Sequence, residues 1–320
     1  MKTDFMDIRI QPWDEINPEE IARFTLQTRR NEGLATNTAN IDTYLTAIQW
    51  WTNRKHSTPI IAYDGDRMVG WLVFFSFIPT TSTIGRWHPI VESNPQKDEI
   101  AQQLLQASIN HAKKHHFERL EAELVGITAE NETWYKRYQT WYKTLGFFLA
   151  SEEARLEKEL IEHQPPPELP PEFEFHSIDH FTNEELESSF FEMFDNSKDR
   201  FWLHQTNTQR KETYEFWFDR ERPFVEEATA VLTKNEEIIG LTVVRPVQEA
   251  GMLGPIAIAP KYRRRGLART LMQYSLRGAK HCGITRIQLE FDITNEPAMN
   301  LYKELGFTHV HRLAIFSLTL

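Results

Sequence analysis

The sequence predicts an α/β (α+β) chain made twice over: two tandem domains, each a mixed, mostly antiparallel sheet of about six to seven strands with helices on both faces. Three observations predict it. Over residues 252–307 the hydrophobic period switches between strand and helix, with a turn at each switch. A proline-rich run at 161–172 divides the 320 residues near the middle. The two sides repeat one another: WYKTLGF at 141–147 echoes LYKELGF at 301–307, and FERLEAEL at 117–124 lies over ITRIQLEF at 284–291, with Arg119 over Arg286.

Each half opens with a strand, at 7–11 and 172–176, followed by two helical segments, which in the second half span 183–194 and 209–220. A hairpin follows in each. The first joins 59–63 to 67–78 about Asp64-Gly65-Asp66, and the second joins 229–233 to 238–247 about Lys234-Asn235-Glu236-Glu237. Residues 100–115 form an amphipathic helix matching 267–282. In the second half Ile256, Ala257 and Ile258 end a short apolar strand closed by Pro260. Residues 284–292 alternate, with Ile287, Leu289 and Phe291 on one face. Asn295 then caps a helix with Pro297 in its first turn, which runs to Leu305 and stops at Gly306. The run at 161–172 carries five prolines and reads as an extended spacer. The domains are therefore drawn as 1–160 and 173–320.

An apolar content of 40% and nine tryptophans indicate packed cores. The single cysteine, Cys282, excludes an internal disulfide and fits a reducing compartment; its place at a helix end suits a half-buried structural residue, with a reactive thiol as the alternative. The N-terminus lacks the apolar stretch of a secretory signal, and no run reaches the ~18 apolar residues of a membrane span. The expectation is a cytoplasmic protein with no membrane partner, as monomer or homodimer. A net charge of −10 argues against nucleic acid.

Against that acidic background Arg263, Arg264 and Arg265 form a basic cluster directly ahead of Gly266, Leu267 and Ala268, where a helix begins. A glycine there permits a tight turn, and the first N–H groups of a helix have no internal partners. Together they make a seat for phosphate oxygens. For any one arginine a solvated helix start is an equal reading; three together favour a bound polyanion. Farther on, Ala298 and Tyr302 share one helix face, from which a phenol could deliver a proton. The alternative for Tyr302 is a core tyrosine.

R-x-x-G-x-A at 263–268, N-x-x-A-x-x-x-Y at 295–302 and the Leu305-Gly306-Phe307 ending together resemble the GNAT superfamily of N-acetyltransferases in its tandem two-domain form. The clear part of the resemblance covers about the last ninety residues. It implies acetyl-CoA as co-substrate, no metal, and an amine acceptor on a small molecule or peptide. In the family two neighbouring strands splay and the thioester lies between them. The backbone of Ile256, Ala257 and Ile258 would pair with the pantetheine arm. The N–H groups of residues 264–268 would hold the pyrophosphate, with the Arg263, Arg264 and Arg265 side chains adding charge. Asn295 would bond the arm, Ala298 would leave room for it, and Tyr302 would protonate the departing thiolate. The resemblance names no base: Glu290, Asp292 and Glu249 are candidates, Glu290 foremost.

The first copy departs from this pattern. In the same register it has Gln96-Lys97-Asp98-Glu99-Ile100-Ala101, so a carboxylate replaces the glycine and two negative charges stand where pyrophosphate would sit. Tyr142 matches Tyr302, but Tyr135 and Tyr138 replace Asn295 and Ala298. Trp134, Tyr138, Trp141 and Tyr142 make an aromatic stripe, read as core with a binding wall as the alternative. The second copy is thus the catalytic one. Besides N-acetyl transfer, two readings stand: another acyl group or acceptor on the same framework, similar to the layout of mycothiol synthase, and a non-catalytic acyl-CoA sensor. The acceptor pocket is expected around residues 196–208, including His204 as a surface residue, and at a last hairpin near 309–316.

Overall fold

The computed structural model describes residues 6–35, 38–52, 56–76, 79–85, 88–161, 167, 169–194, 197–247 and 250–320. In chain order the elements are β1 (Asp7–Ile10), α1 (Pro18–Asn31), α2 (Ile41–Thr52), β2 (Ser57–Asp64), β3 (Arg67–Phe75), β4 (Thr81–Ile84), β5 (Ile90–Val91), α3 (Lys97–Lys114), β6 (Arg119–Ile127), α4 (Glu132–Thr144) and β7 (Phe148–Glu159). They continue as β8 (Glu174–His176), α5 (Asn183–Phe194), α6 (Arg200–Leu203), α7 (Asn207–Phe218), β9 (Ala230–Lys234), β10 (Glu237–Val247), β11 (Ala250–Ile258), α8 (Leu267–His281), β12 (Arg286–Asp292), α9 (Glu296–Glu304) and β13 (Thr308–Thr319). Most of the proline run, 162–166 and 168, lies outside the described residues, as do Glu249 and Asn196.

The chain folds as two units: the residues up to Ala150 with Leu313–Leu320, and Ser151–Arg312. These bounds differ from the ones drawn on the sequence. All of β7 precedes the proline run, yet Ser151–Glu159 belongs to the second unit, because it pairs antiparallel with β12 from Arg286↔Glu159 to Asp292↔Glu153. The last residues belong to the first unit, where Phe316 stacks on Tyr142 at 5.0 Å and Leu320 N donates to Glu118 O at 3.0 Å. The segment around 309–316, expected as a hairpin, is one strand.

In the first unit the strands run β1-β2-β3-β4-β6 with the end of β13 beyond, and β5 lies against β3. The β4–β6 pair is parallel; the described pairs among β1, β2, β3, β4 and β5 are antiparallel. Helices cover both faces, which is why β3 reads MVGWLVFF and is buried throughout after Arg67. α3 and α4 bring Leu104, Leu105 and Trp141 to one face, and α1 and α2 bring Ile21 and Ile48 to the other. The aromatic stripe of α4 is core: Trp134, Tyr135, Tyr138, Trp141 and Tyr142 are all buried.

In the second unit the order is β7-β12-β11-β10-β9-β8, with a parallel β11–β12 pair and antiparallel neighbours. The β9–β10 turn holds both Asn235 (φ 49) and Glu236 (φ 67) left-handed, the conformation a two-residue hairpin turn requires. α8 and α9 cover one face through Met272, Leu276 and Tyr302, and α5 to α7 cover the other through Phe190, Trp202 and Phe218. Cys282, the residue that caps the end of α8, is exposed and not half-buried as its position suggested.

Candidate active site

Two neighbouring strands of the second unit part company at one point. β11 and β12 pair from Ala250↔Arg286 to Leu253↔Leu289, and there the pairing stops, although β12 continues against β7. The cause is local. Thr242 lies opposite Ile256 and Val244 opposite Leu253, so β11 advances three residues while β10 advances two. The extra residue is a bulge at Gly254-Pro255, which bends the strand, and Pro255 has no N–H to offer a neighbour. Beyond it, residues 256–258 pair with β10 on one side only, and a notch opens toward β12. Gly254 also admits a close neighbour: a Cβ there would sit 2.2 Å from the ring of Trp217. A Gly-Pro pair inside an apolar strand is a recognised bulge signal that the sequence reading passed over.

After a short 3-10 turn at Pro260–Tyr262 the strand leads into a left-handed loop. Arg263 is extended, Arg264 has φ 62, and Gly266 has φ 80 directly before α8. Only at Arg269 and Thr270 do N–H groups find an acceptor, the Gly266 carbonyl, at 2.9 and 3.1 Å. Among the described residues no protein acceptor meets the N–H of Arg264, Arg265, Gly266, Leu267 or Ala268. Leu267 and Leu271 pack with Ile256 and Ile258, which seats the start of α8 against the end of β11. The Arg263 guanidinium does not point away with its neighbours. It donates to Ile258 O at 3.0 Å and Met193 O at 2.7 Å, tying the loop to β11 and α5. Arg264 and Arg265 are exposed, and the Arg265 guanidinium lies 5.4 Å from the centroid of the Tyr262 ring. This loop suits a pyrophosphate: N–H donors at a helix start, charge beside them, and no side chain in the way at Gly266.

α9 stands across the notch. Asn295 Oδ1 accepts from Ala298 N at 3.3 Å, so Asn295 is the helix cap the sequence indicated, and Ala298 is half-buried on the same core. Tyr302 packs edge-on against Phe291 (5.3 Å) and Phe307 (5.9 Å). Burial, with the nearby Asp199 carboxylate adding to it, pushes the phenol well above its usual value, so it stays protonated across the neutral range. No hydrogen-bond partner meets its hydroxyl among the described residues.

The carboxylates on the β12 face opposite Leu289 are both engaged. Glu290 Oε1 accepts from Nε of Arg155 at 2.8 Å and from its Nη2. Asp292 accepts from Arg200 N (3.0 Å) and Nε (2.8 Å) and from Thr294 N (2.8 Å) and Oγ1 (2.7 Å). Burial raises its pKa, but these bonds prevail and hold it below the ordinary range. Neither carboxylate is poised as a ready base. The segment 200–205, expected to wall the acceptor pocket, is a short helix whose Trp202 is buried and whose Arg200 is tied to Asp292; His204 is exposed. An open depression of about 660 Å³ in the first unit, lined by Glu20, Phe24, Asp64, Asp66, Arg67 and Met68, has neither a splayed pair nor an anion loop.

The first copy lacks the loop outright. α3 begins at Lys97, so Glu99 lies inside a helical turn instead of at a left-handed one, and no described residue from 94 to 101 has positive φ. Lys97 is paired with Glu32, and Asp98 accepts from Trp141 Nε1 at 2.8 Å. The Tyr142 hydroxyl is sealed in the core and has no partner among the described residues.

Residues 19–152 and 182–307 each match the model of the Acetyltransferase (GNAT) family. The chain is 35% identical over 92 residues to N-alpha-acetyltransferase 30 of Schizosaccharomyces pombe, which is 27% of this chain and 61% of that protein. It is 32% identical over 76 residues to the ribosomal protein bS18-alanine N-acetyltransferase of Escherichia coli (24% and 51%). The matches thus span about half to three fifths of these relatives' lengths. In fold it is similar to a GCN5-related N-acetyltransferase from Sphaerobacter thermophilus (TM-score 0.67, 15% identity, 100% of this chain and 97% of that one). A tandem GNAT protein from the clavulanic acid biosynthesis pathway is also similar (TM-score 0.57, 13% identity, 98% of each). With two family matches, and a splayed strand pair and a left-handed loop before a helix in the second of them, the chain belongs to the GNAT acetyltransferase family.

Proposed function

We propose that this chain is an N-acetyltransferase that moves an acetyl group from acetyl-CoA to a primary amine of a small molecule or peptide, by direct attack, in the second copy. The observation that carries this reading is the notch beyond Leu253↔Leu289 opening onto five main-chain N–H groups at residues 264–268 that have no protein acceptor among the described residues. Acetyl-CoA would supply an activated acyl carbonyl and a thiolate leaving group. The loop N–H groups would hold the pyrophosphate, Arg264 and Arg265 would add charge, and the unpaired edge of Ile256, Ala257 and Ile258 would align the arm. Arg263 would act through the loop it braces. Asn295 and Ala298 would shape the opposite wall.

As the amine nitrogen bonds to the carbonyl carbon and the C–S bond breaks, Tyr302 would give its proton to the sulfur. The raised pKa keeps that proton in place at neutral pH and makes the phenol a weak acid, so transfer waits until sulfur carries charge. The amine proton would leave to solvent, since Glu290 and Asp292 are bonded to arginines. Positioning supplies most of the rate. The relatives' names specify α-amino acceptors, which makes a peptide α-amine the first to try. The test is calorimetric titration with acetyl-CoA, followed by CoA-thiol release with a panel of amines and short peptides. Uptake with release supports the reading. Uptake without release from any amine turns it toward a sensor, and no uptake overturns it.

A further inference from the structure

We infer that the indole of Trp217 is the wall that limits the length of the acyl group this site accepts; this rests on the acyl-CoA reading above. The loop that would hold the pyrophosphate follows the C-terminal end of β11, so an arm laid along Ile258, Ala257 and Ile256 runs antiparallel to the strand. Its acyl end arrives last, at Gly254, where the notch closes. From Ile258 to Gly254 the strand covers about 13 Å at ~3.3 Å per residue.

What waits there is built. Leu253 and Leu289 pack into the core under α8 and α9, closing one side. On the other side Trp217 of α7 lies over Gly254, with ring carbons 2.2, 2.3 and 2.7 Å from where a Cβ would be. Any residue larger than glycine would displace the ring. The backbone that carries the indole is also fixed from behind. Arg245 of β10 is buried, and its guanidinium donates to the carbonyl oxygens of Trp217 (2.6 Å), Asp219 (2.8 Å), Arg222 (2.6 Å) and Pro223 (3.1 Å). Its plane lies 3.8 Å from the Phe224 ring centroid. Burial lowers its pKa to about 10, which leaves it charged at neutral pH and suited to the carbonyl end of a helix. A short acyl group ends before the indole; a longer one runs into it. Trp217 is then a specificity residue and Arg245 the residue that positions it.

The test needs no acceptor. Calorimetry with CoA, acetyl-CoA, butyryl-CoA and hexanoyl-CoA is run on the full chain and on Trp217→Ala and Trp217→Phe, with thermal melts to confirm folding. Two added methylenes against a rigid wall should weaken butyryl-CoA about tenfold or more relative to acetyl-CoA in the native protein. Trp217→Ala should bring the two within about threefold, Trp217→Phe should fall between, and CoA itself should bind all three proteins alike. An unchanged acyl-length profile in a folded Trp217→Ala protein overturns the inference while leaving the acyl-CoA reading intact. Failure of every acyl-CoA to bind the native protein overturns the reading itself.

Discussion

Tyr302 and Tyr142 hold the same place in two copies of one pattern, and both are buried against aromatic rings. Tyr142 is wholly buried, with its hydroxyl enclosed and without a partner among the described residues. Tyr302 lies one turn from Ala298 on α9, and its hydroxyl is not among the enclosed, unpartnered atoms. Tyr302→Phe should lower kcat about 10²–10³-fold while the acetyl-CoA Kd stays within about twofold, since the ring remains and only the proton is lost. Because its pKa is raised, native activity should show no alkaline loss from this group below about pH 10. A steady-state pH profile beside calorimetry reads both. Gly266 carries the second residue-scale prediction. Nothing crowds a Cβ there, so the cost of a side chain is its φ of 80°, about 1–2 kcal/mol. Gly266→Ala should weaken acetyl-CoA binding about tenfold, whereas Gly266→Glu, which adds a charge beside the phosphate seat, should abolish it in the same titration.

At the scale of elements, strands β6 and β12 show how one template carries two purposes. Each pairs parallel with the strand before it in the sheet, and each carries acidic residues away from its apolar side. On β12 the carboxylates are tied by arginines. On β6 Glu121 is nearly buried, with Arg119 at 3.7 Å, and burial pushes its pKa up to about 7 despite that neighbour. An acid raised in the folded state holds its proton more tightly there than unfolded. Its stabilising effect is complete below the unfolded value near 4.5 and disappears as pH rises to about 7. From this group the protein should lose about 3 kcal/mol between pH 4.5 and 7.5. Glu121→Gln should remove that slope, so that urea midpoints of variant and native protein diverge in the variant's favour as pH rises.

For the whole molecule, the consequence of the exchanged strands is that neither half of the sequence is a unit. The segment 173–320 contains the loop, the notch and Tyr302, yet lacks Ser151–Glu159, the part of β7 that belongs to its unit and pairs with β12. A fragment 173–320 should show no cooperative melt and no acetyl-CoA uptake, while 151–320, which differs only by that segment and the proline run, should recover both. A cooperative melt and acetyl-CoA uptake by fragment 173–320 would show that β7 is dispensable to the second unit. Among the described residues no helix is long and apolar enough to cross a membrane.

Much of this was legible before any coordinates, because it is local. The left-handed turn at Gly266, the Asn295 cap with Pro297 behind it, the stop at Gly306 and the doubled hairpins each follow from a few adjacent side chains and their preferred backbone angles. Glu99 in place of Gly266 was expected to crowd a tight turn in the first copy, but it meets none, because the helix has already started at Lys97. What only the tertiary structure decided is nonlocal. Strand partners are chosen by hydrogen bonds between residues more than a hundred positions apart, as in Glu159 with Arg286, and nothing in either segment's period encodes the choice. The same holds for the wall of the pocket. Trp217 and Gly254 are unremarkable apart; only the bulge in β11 and the carbonyl grip of Arg245 bring an indole onto a glycine at the place where chemistry would occur.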